Sequence, residues 1–144
     1  VGVELCAENS ARARMAAPDA GGIEADFFEW AQTRGPSFNA VFGNPPFIRY
    51  QQFNGSTRKN ALKLSKRIGA EFNGLTSSWA PFIAMFASLV ESDGKMAFVV
   101  PAEIGHATYA GPLIEGLCRH FAAVNIVAVR EKLFPHLSQI WFGY

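Results

Sequence analysis

The sequence predicts an α/β protein built on a mainly parallel sheet, and three observations carry that reading. Strand-like and helix-like segments alternate along the 144 residues, the pattern of strand–helix–strand crossover units. Several strand-like segments are continuous apolar runs, as strands covered on both faces are. The residues after successive strand ends are acids, aromatics and a rigid polar loop, at the edge where such sheets bind ligands.

Val1–Leu5 reads as a short buried strand. Ala7–Ala17 is a helical run with Asn9 or Ser10 near its start and Pro18 ending it. Gly22–Ala25 is a second strand, and Phe38–Phe42 a third that closes at Gly43. Pro45-Pro46 forbids helix or central strand where it stands. Ser56–Ile68 is a helix with Lys59, Lys63, Lys66 and Arg67 on one stripe and Ala61, Leu64 and Ile68 on the other. Ser77–Glu91 is the strongest helix: Trp79, Phe82, Ile83, Phe86, Leu89 and Val90 repeat at helical spacing, with Ser77 or Ser78 as cap. Asp93-Gly94 makes a turn into the strand Lys95–Val100. Gly111–Phe121 is a helix, and Ala123–Val129 a last buried strand.

The composition bounds the function. Apolar residues make up 49% and charged residues 17%, which excludes a disordered, highly charged tail. No apolar stretch approaches the roughly 18 residues of a membrane span. Cys6 and Cys118 form no CxxC pair and read as free thiols in a reducing, cytoplasmic compartment. His106, His120 and His136 lack metal-ligand spacing, so no metal is expected. Both ends stop inside apolar runs, as in a piece of a longer chain.

The net charge of +1 hides an asymmetry. Residues 49–70 carry Arg49, Arg58, Lys59, Lys63, Lys66 and Arg67 and no acid, while the stretches on either side are net acidic. A solvated basic face and a polyanion contact both fit this segment.

Asn44-Pro45-Pro46-Phe47 is the specific signal. At average residue usage the tetrapeptide arises by chance on the order of once per thousand chains of this length. Two prolines fix φ and stiffen the loop, so little ordering entropy is lost on binding. The Asn44 amide oxygen and the Pro45 carbonyl can both accept from a planar NH2 group, exposing its nitrogen lone pair for attack. Phe47 offers a face for a flat ring. The plain alternative is a tight loop with Phe47 as core filler.

Asn44-Pro45-Pro46-Phe47, preceded by Phe38–Gly43, resembles the catalytic motif of amino-methyltransferases, which use S-adenosylmethionine to methylate exocyclic amines, chiefly adenine N6 in DNA. Ile48-Arg49-Tyr50-Gln51, Trp79-Ala80-Pro81-Phe82-Ile83, Gly94–Pro101 and Val124–Val127 leading to Leu133-Phe134-Pro135 are similar to the large restriction–modification methyltransferases of bacterial phage defence. The resemblance covers nearly the whole chain and implies a Rossmann-like methyltransferase fold. It implies that Asn44, Pro45, Pro46 and Phe47 hold the target base. Glu4 matches the acid that takes the cofactor ribose hydroxyls. Asp26 matches the acid that takes the cofactor's adenine amine, and Phe27 would pack on that ring. The plain alternatives are a helix-start acid for Glu4 and a loop acid for Asp26. Arg49, Tyr50, Lys59, Lys63, Lys66 and Arg67 would meet phosphates around a flipped adenine. Specificity or restriction subunits are the further partners implied, and no membrane.

The family's glycine-rich cofactor loop is absent from this sequence, and its strand would precede Val1, between Val1–Leu5 and Phe38–Phe42 in space. The fold expected is therefore incomplete: residues 1–144 as a partial catalytic domain, with the target-recognition domain absent and S-adenosylmethionine bound weakly or not at all by this piece alone. Two rival readings remain open. One keeps the motif and changes the acceptor to cytosine N4, protein glutamine or ribosomal-RNA guanine. The other is a non-catalytic nucleic-acid-binding module. Gly105–Gly111 reads as a connecting loop, or as a mobile loop over the pocket.

Overall fold

The computed structural model describes residues 1–49 and 51–129. Tyr50, His136 and the Leu133-Phe134-Pro135 run lie outside the described residues. Strand β1 (Gly2–Glu4) is followed by helix α1 (Ala7–Ala16) and strand β2 (Gly22–Glu24). The two strands pair in parallel with Val3 opposite Ile23, and α1 makes the crossover that parallel strands require. Helix α2 (Phe27–Ala31) leads to β3 (Phe38–Gly43). Helix α3 (Gly55–Ser65) runs into a 3₁₀ turn, Lys66–Ile68, then α4 (Trp79–Ala87) and β4 (Val90–Phe98). Strands β3 and β4 are also parallel, Val41 opposite Met96 and Gly43 opposite Phe98. Helix α5 (Ala110–His120) follows a 3₁₀ turn at Ala102–Gly105. The α/β class and the parallel pairing are as the sequence predicts.

Among the described residues the strands form two pairs, β1–β2 and β3–β4, rather than one sheet. Between β1 and β3 lies an apolar cleft of about 450 Å³ lined by Val1, Val3, Phe27, Trp30, Phe42 and Phe86. The Trp30 indole N–H is buried without a hydrogen-bond partner among the described residues.

Helix α4 organises the core, with seven of its nine residues buried. Trp79, Ile83 and Ala87 pack with Leu113, Leu117 and Ile68. Met85, with Leu89 just past the helix, packs with Phe28, Phe53 and Leu64 on the other side. Pro81 is tolerated as the third helical residue because the first N–H groups of a helix have no intrahelical acceptor. The helix expected over Ser56–Ile68 is α3 with the 3₁₀ turn after it; across the two, Ala61, Leu64 and Ile68 are buried, while Lys59, Lys63, Lys66 and Arg67 are exposed.

Three expectations are corrected. The helix expected over Ser77–Glu91 stops at Ala87. Ser88 Oγ donates to the Met85 carbonyl, and the Leu89 carbonyl accepts from Ser37 and Phe38 N–H, so the last turn gives way to strand pairing. Asp93-Gly94 is not a helix-to-strand turn. It lies within β4, in an excursion where Phe38 pairs with Val90 but Ala40 already pairs with Lys95. Gly94 is required there, since an added Cβ would stand 2.4 Å from Val90 Cγ1 and 2.9 Å from the Asn39 carbonyl oxygen. Ala123–Val129 forms no strand. It faces β4 across an apolar cavity of about 600 Å³ instead of pairing with it, and Val127 is 81% exposed. An apolar run alone does not supply the hydrogen-bonded edge that makes a strand. The short helix α2 escapes the sequence reading, because five residues carry too little periodicity.

Candidate functional site

The Asn44–Phe47 loop leaves the carboxyl end of β3. Its root is fixed by the β3–β4 ladder, whose last bond runs from Val99 N–H to the Gly43 carbonyl at 3.1 Å. Asn44 is exposed and Pro45 buried, so the first proline anchors the loop while the amide before it stays open. Phe47 is 38% exposed and belongs to neither core cluster, which removes the core-filler alternative. The residue before each proline is steered to extended backbone, so the loop is stiff from Asn44 through Pro46.

Ser78 holds the far side of this loop. Its hydroxyl donates to the Pro46 carbonyl and accepts from Ile48 N–H at 2.9 Å. Its own N–H donates to the Ile48 carbonyl at 3.0 Å. The sequence offers Ser77 or Ser78 as the cap of α4. Ser78 does stand at the N-cap position, but its side chain makes no cap hydrogen bond.

Glu4 and Asp26 sit at one edge, because parallel pairing sets Glu4 opposite Glu24 and Ala25 N–H donates to the Glu4 carbonyl. Glu4 Oε1 accepts from Cys6 N–H at 2.9 Å, just before α1, which is the helix-start role. Asp26 caps α2: Oδ1 accepts from Phe28 N–H at 2.8 Å and Glu29 N–H at 3.0 Å. Asp26 Oδ2 accepts from the Thr57 hydroxyl at 3.1 Å, tying α2 to the first turn of α3. Each carboxylate offers about four lone-pair sites, so both keep acceptor capacity for a ligand. The Phe27 ring packs on Phe82 and Phe86, at centroid distances of 5.2 and 4.4 Å, and lines the β1–β3 cleft.

The expected phosphate-contact residues divide. Lys59 and Lys63 project from α3, exposed. Lys66 stands 3.9 Å from Glu71. Arg67 is engaged in the fold: its guanidinium donates to the carbonyls of Ala31, Gln32 and Arg34 at the end of α2, satisfying acceptors that a helix C-terminus leaves open. Arg49 is exposed, with its carbonyl accepting from Gln52 and Phe53 N–H. Tyr50 lies outside the described residues.

Sequence reasoning misses Ser78, Thr57 and Arg58 as supports of the site. Arg58 donates to the carbonyls of Phe53 and Gly74, linking the segment after the motif to the segment before α4. No motif announces such long-range contacts. A second cluster stands past β4: the Glu103 carboxylate accepts from the Tyr109 hydroxyl and from Trp79 Nε1. Burial, and then the Glu103 hydrogen bond, push the Tyr109 phenol above its ordinary value of 10.0.

The arrangement presents two carboxylates at one strand edge and a stiff amide–proline–aromatic loop at the carboxyl end of another. Parallel α/β proteins place ligand sites at such edges. The sequence model of the Eco57I restriction-modification methylases matches residues 9–134, and the chain belongs to that family. It is thus of the DNA methyltransferase class. No solved structure matches the chain. Among the described residues no helix is long and apolar enough to cross a membrane.

Proposed function

We propose that this chain is part of the catalytic domain of a DNA methyltransferase that moves a methyl group from S-adenosylmethionine to adenine N6, within a restriction–modification system. One observation carries the reading. In a chain of the methylase family, an exposed Asn44 and a partly exposed Phe47 flank a buried Pro45 at the carboxyl end of a parallel strand. That is where an acceptor pair and a stacking face for a planar amine belong.

The residues present fit the cofactor. Glu4 and Asp26 retain acceptor sites beside their helix-start bonds, which suits ribose hydroxyls and an adenine amine. Phe27 lines the adjoining cleft. When bound, the cofactor supplies an electrophilic methyl group. Among the described residues the β1–β3 cleft has two unpaired strand edges and the unpartnered Trp30 N–H. A further strand carrying the glycine-rich loop would complete the sheet there.

This chain's own groups then work by positioning. A base inside a duplex must leave the stack to reach such a loop. Phe47 stacks on it. Asn44 Oδ1 and the Pro45 carbonyl accept from the amine and hold its two protons. The nitrogen lone pair is thereby aimed away from the loop. Once the nitrogen carries the methyl group it is cationic and acidic, and one of its two protons passes to water, so no group of shifted pKa is demanded of the protein. The rate gain comes from orientation and fixed dipoles.

The test uses the intact protein with methyl-labelled S-adenosylmethionine and mixed-sequence DNA, digested to nucleosides. Label in N6-methyladenine is expected. Label in N4-methylcytosine replaces the base and keeps the site. No label in DNA overturns the reading in favour of a protein or RNA acceptor, or of a binding module.

The basic stripe makes a separate prediction. Lys59→Glu together with Lys63→Glu should weaken DNA binding at all sequences. The slope of log K against log salt should become shallower by roughly one for each phosphate no longer neutralised. Arg67→Ala should leave that slope nearly unchanged and lower the melting temperature instead, because its guanidinium is bonded to the carbonyls at the end of α2. Binding titrations at several salt concentrations, beside a melting curve for the Arg67 variant, decide both.

A further inference from the structure

We propose that Ser78 is the positioning residue that sets the Asn44–Phe47 loop for catalysis, an inference that rests on the amine-methylation reading above. Ser78 is fully buried and touches the loop through three hydrogen bonds: hydroxyl to the Pro46 carbonyl, Ile48 N–H to the hydroxyl, and its own N–H to the Ile48 carbonyl. The hydroxyl thus holds the carbonyl before Phe47 and the N–H after it on one oxygen. The Phe47 backbone cannot rotate without breaking one of those bonds.

The choice of partners is informative. A serine at a helix N-cap ordinarily turns its oxygen to the helix's own N–H groups. Ser78 has helical backbone angles, φ −60° and ψ −35°, and makes no side-chain cap bond, so its hydroxyl is free to serve a loop 30 residues away in sequence. The base of this support is itself fixed. Asn73 Oδ1 accepts from Leu75 N–H at 2.9 Å, the Thr76 hydroxyl donates to the Asn73 carbonyl, and Arg58 holds the Gly74 carbonyl. The start of α4 is a rigid post on the far side of the loop from Asn44. The β3–β4 ladder at Gly43 fixes the near side.

A loop pinned at both ends presents Asn44, the Pro45 carbonyl and Phe47 in one geometry before any base arrives. Misplacement by about 1 Å at a reacting centre can cost on the order of 10²-fold in rate. Ser78→Ala deletes the two hydroxyl bonds and keeps the N–H bond to Ile48. Pro46 and Ile48 are exposed and belong to neither core cluster, so both partners that lose the hydroxyl lie in the loop and not in the core.

The test combines steady-state kinetics with amide exchange on the intact methylase. Ser78→Ala is expected to lower kcat roughly tenfold or more while the cofactor KM and the DNA dissociation constant stay within about twofold. Exchange at the Ile48 amide is expected to speed up. Unchanged exchange overturns the pin whatever the activity. Faster exchange with unchanged kcat overturns the positioning role, and so does a lowered kcat accompanied by equal losses in cofactor and DNA affinity. If Ser78→Ala does not fold, Ser78→Cys, which keeps a similar size with a weaker donor, is judged by the same two readouts. A wild-type protein that transfers no methyl group to DNA overturns the functional reading, and the exchange measurement still decides the pin.

Discussion

Replacing Asn44 by alanine is expected to lower methyl transfer by about 10²–10³-fold, the range found when one fixed polar group is removed from a reacting centre. DNA affinity should change by less than about twofold. The asymmetry follows from position. Asn44 is exposed at the carboxyl end of β3 and outside the basic segment, so it adds nothing to the phosphate contacts that dominate affinity. On the proposed reading its amide oxygen acts only once an amine is held against it, and a group that acts there appears in kcat. Stability should hold, because the loop is anchored by its neighbours: Pro45 is buried and Gly43 closes the β3–β4 ladder. Single-turnover kinetics with preformed complex would read the loss directly. A drop confined to DNA affinity would place Asn44 among the binding residues and remove it from the chemistry.

The parts legible in the sequence are those encoded locally. The apolar face of α3, the cadence of α4 and the strand before Asn44 each follow from periodicity within one element. The motif at 44–47 is legible because two adjacent prolines leave the backbone little choice. What escapes is set by distant partners. The end of α4 is decided by Ser37 and Phe38, which take the Leu89 carbonyl from across the β3–β4 pair. Ala123–Val129 has the composition of a strand but no ladder in which to serve. Ser78 looks like a cap and acts as a clamp. Arg67 looks like one more cation on a stripe, yet its guanidinium is turned onto the end of α2. A sequence states which groups a residue carries. The fold determines which of them are already engaged.

Asp26 shows why that distinction has to be tested with the right substitution. Its carboxylate caps α2 through Phe28 and Glu29 N–H and accepts from Thr57, and the same carboxylate is proposed to hold the cofactor's amine. Asp26→Ala removes both functions at once. It should cost about 0.5–2 kcal/mol of stability, the usual loss of an N-cap, and a fall in cofactor affinity would then be uninterpretable. Asp26→Asn separates them. Asparagine caps a helix about as well as aspartate. Its amide oxygen can stay on Phe28 and Glu29 N–H, and the Thr57 hydroxyl can turn to accept from the new NH2. Thermal stability should therefore change by less than about 0.5 kcal/mol. Toward an incoming amine the effect is large, because an anionic acceptor is replaced by a neutral group that presents donors. A hydrogen bond to a charged group is worth about 1.5–3 kcal/mol, so cofactor affinity should fall by roughly 10- to 150-fold. Equilibrium binding of S-adenosylmethionine to the intact protein, beside a melting curve for each variant, separates the outcomes. A stable Asp26→Asn protein with weakened cofactor binding assigns both roles to one carboxylate. A stable Asp26→Asn protein with unchanged binding, beside a destabilised Asp26→Ala, leaves Asp26 as the cap of α2 alone.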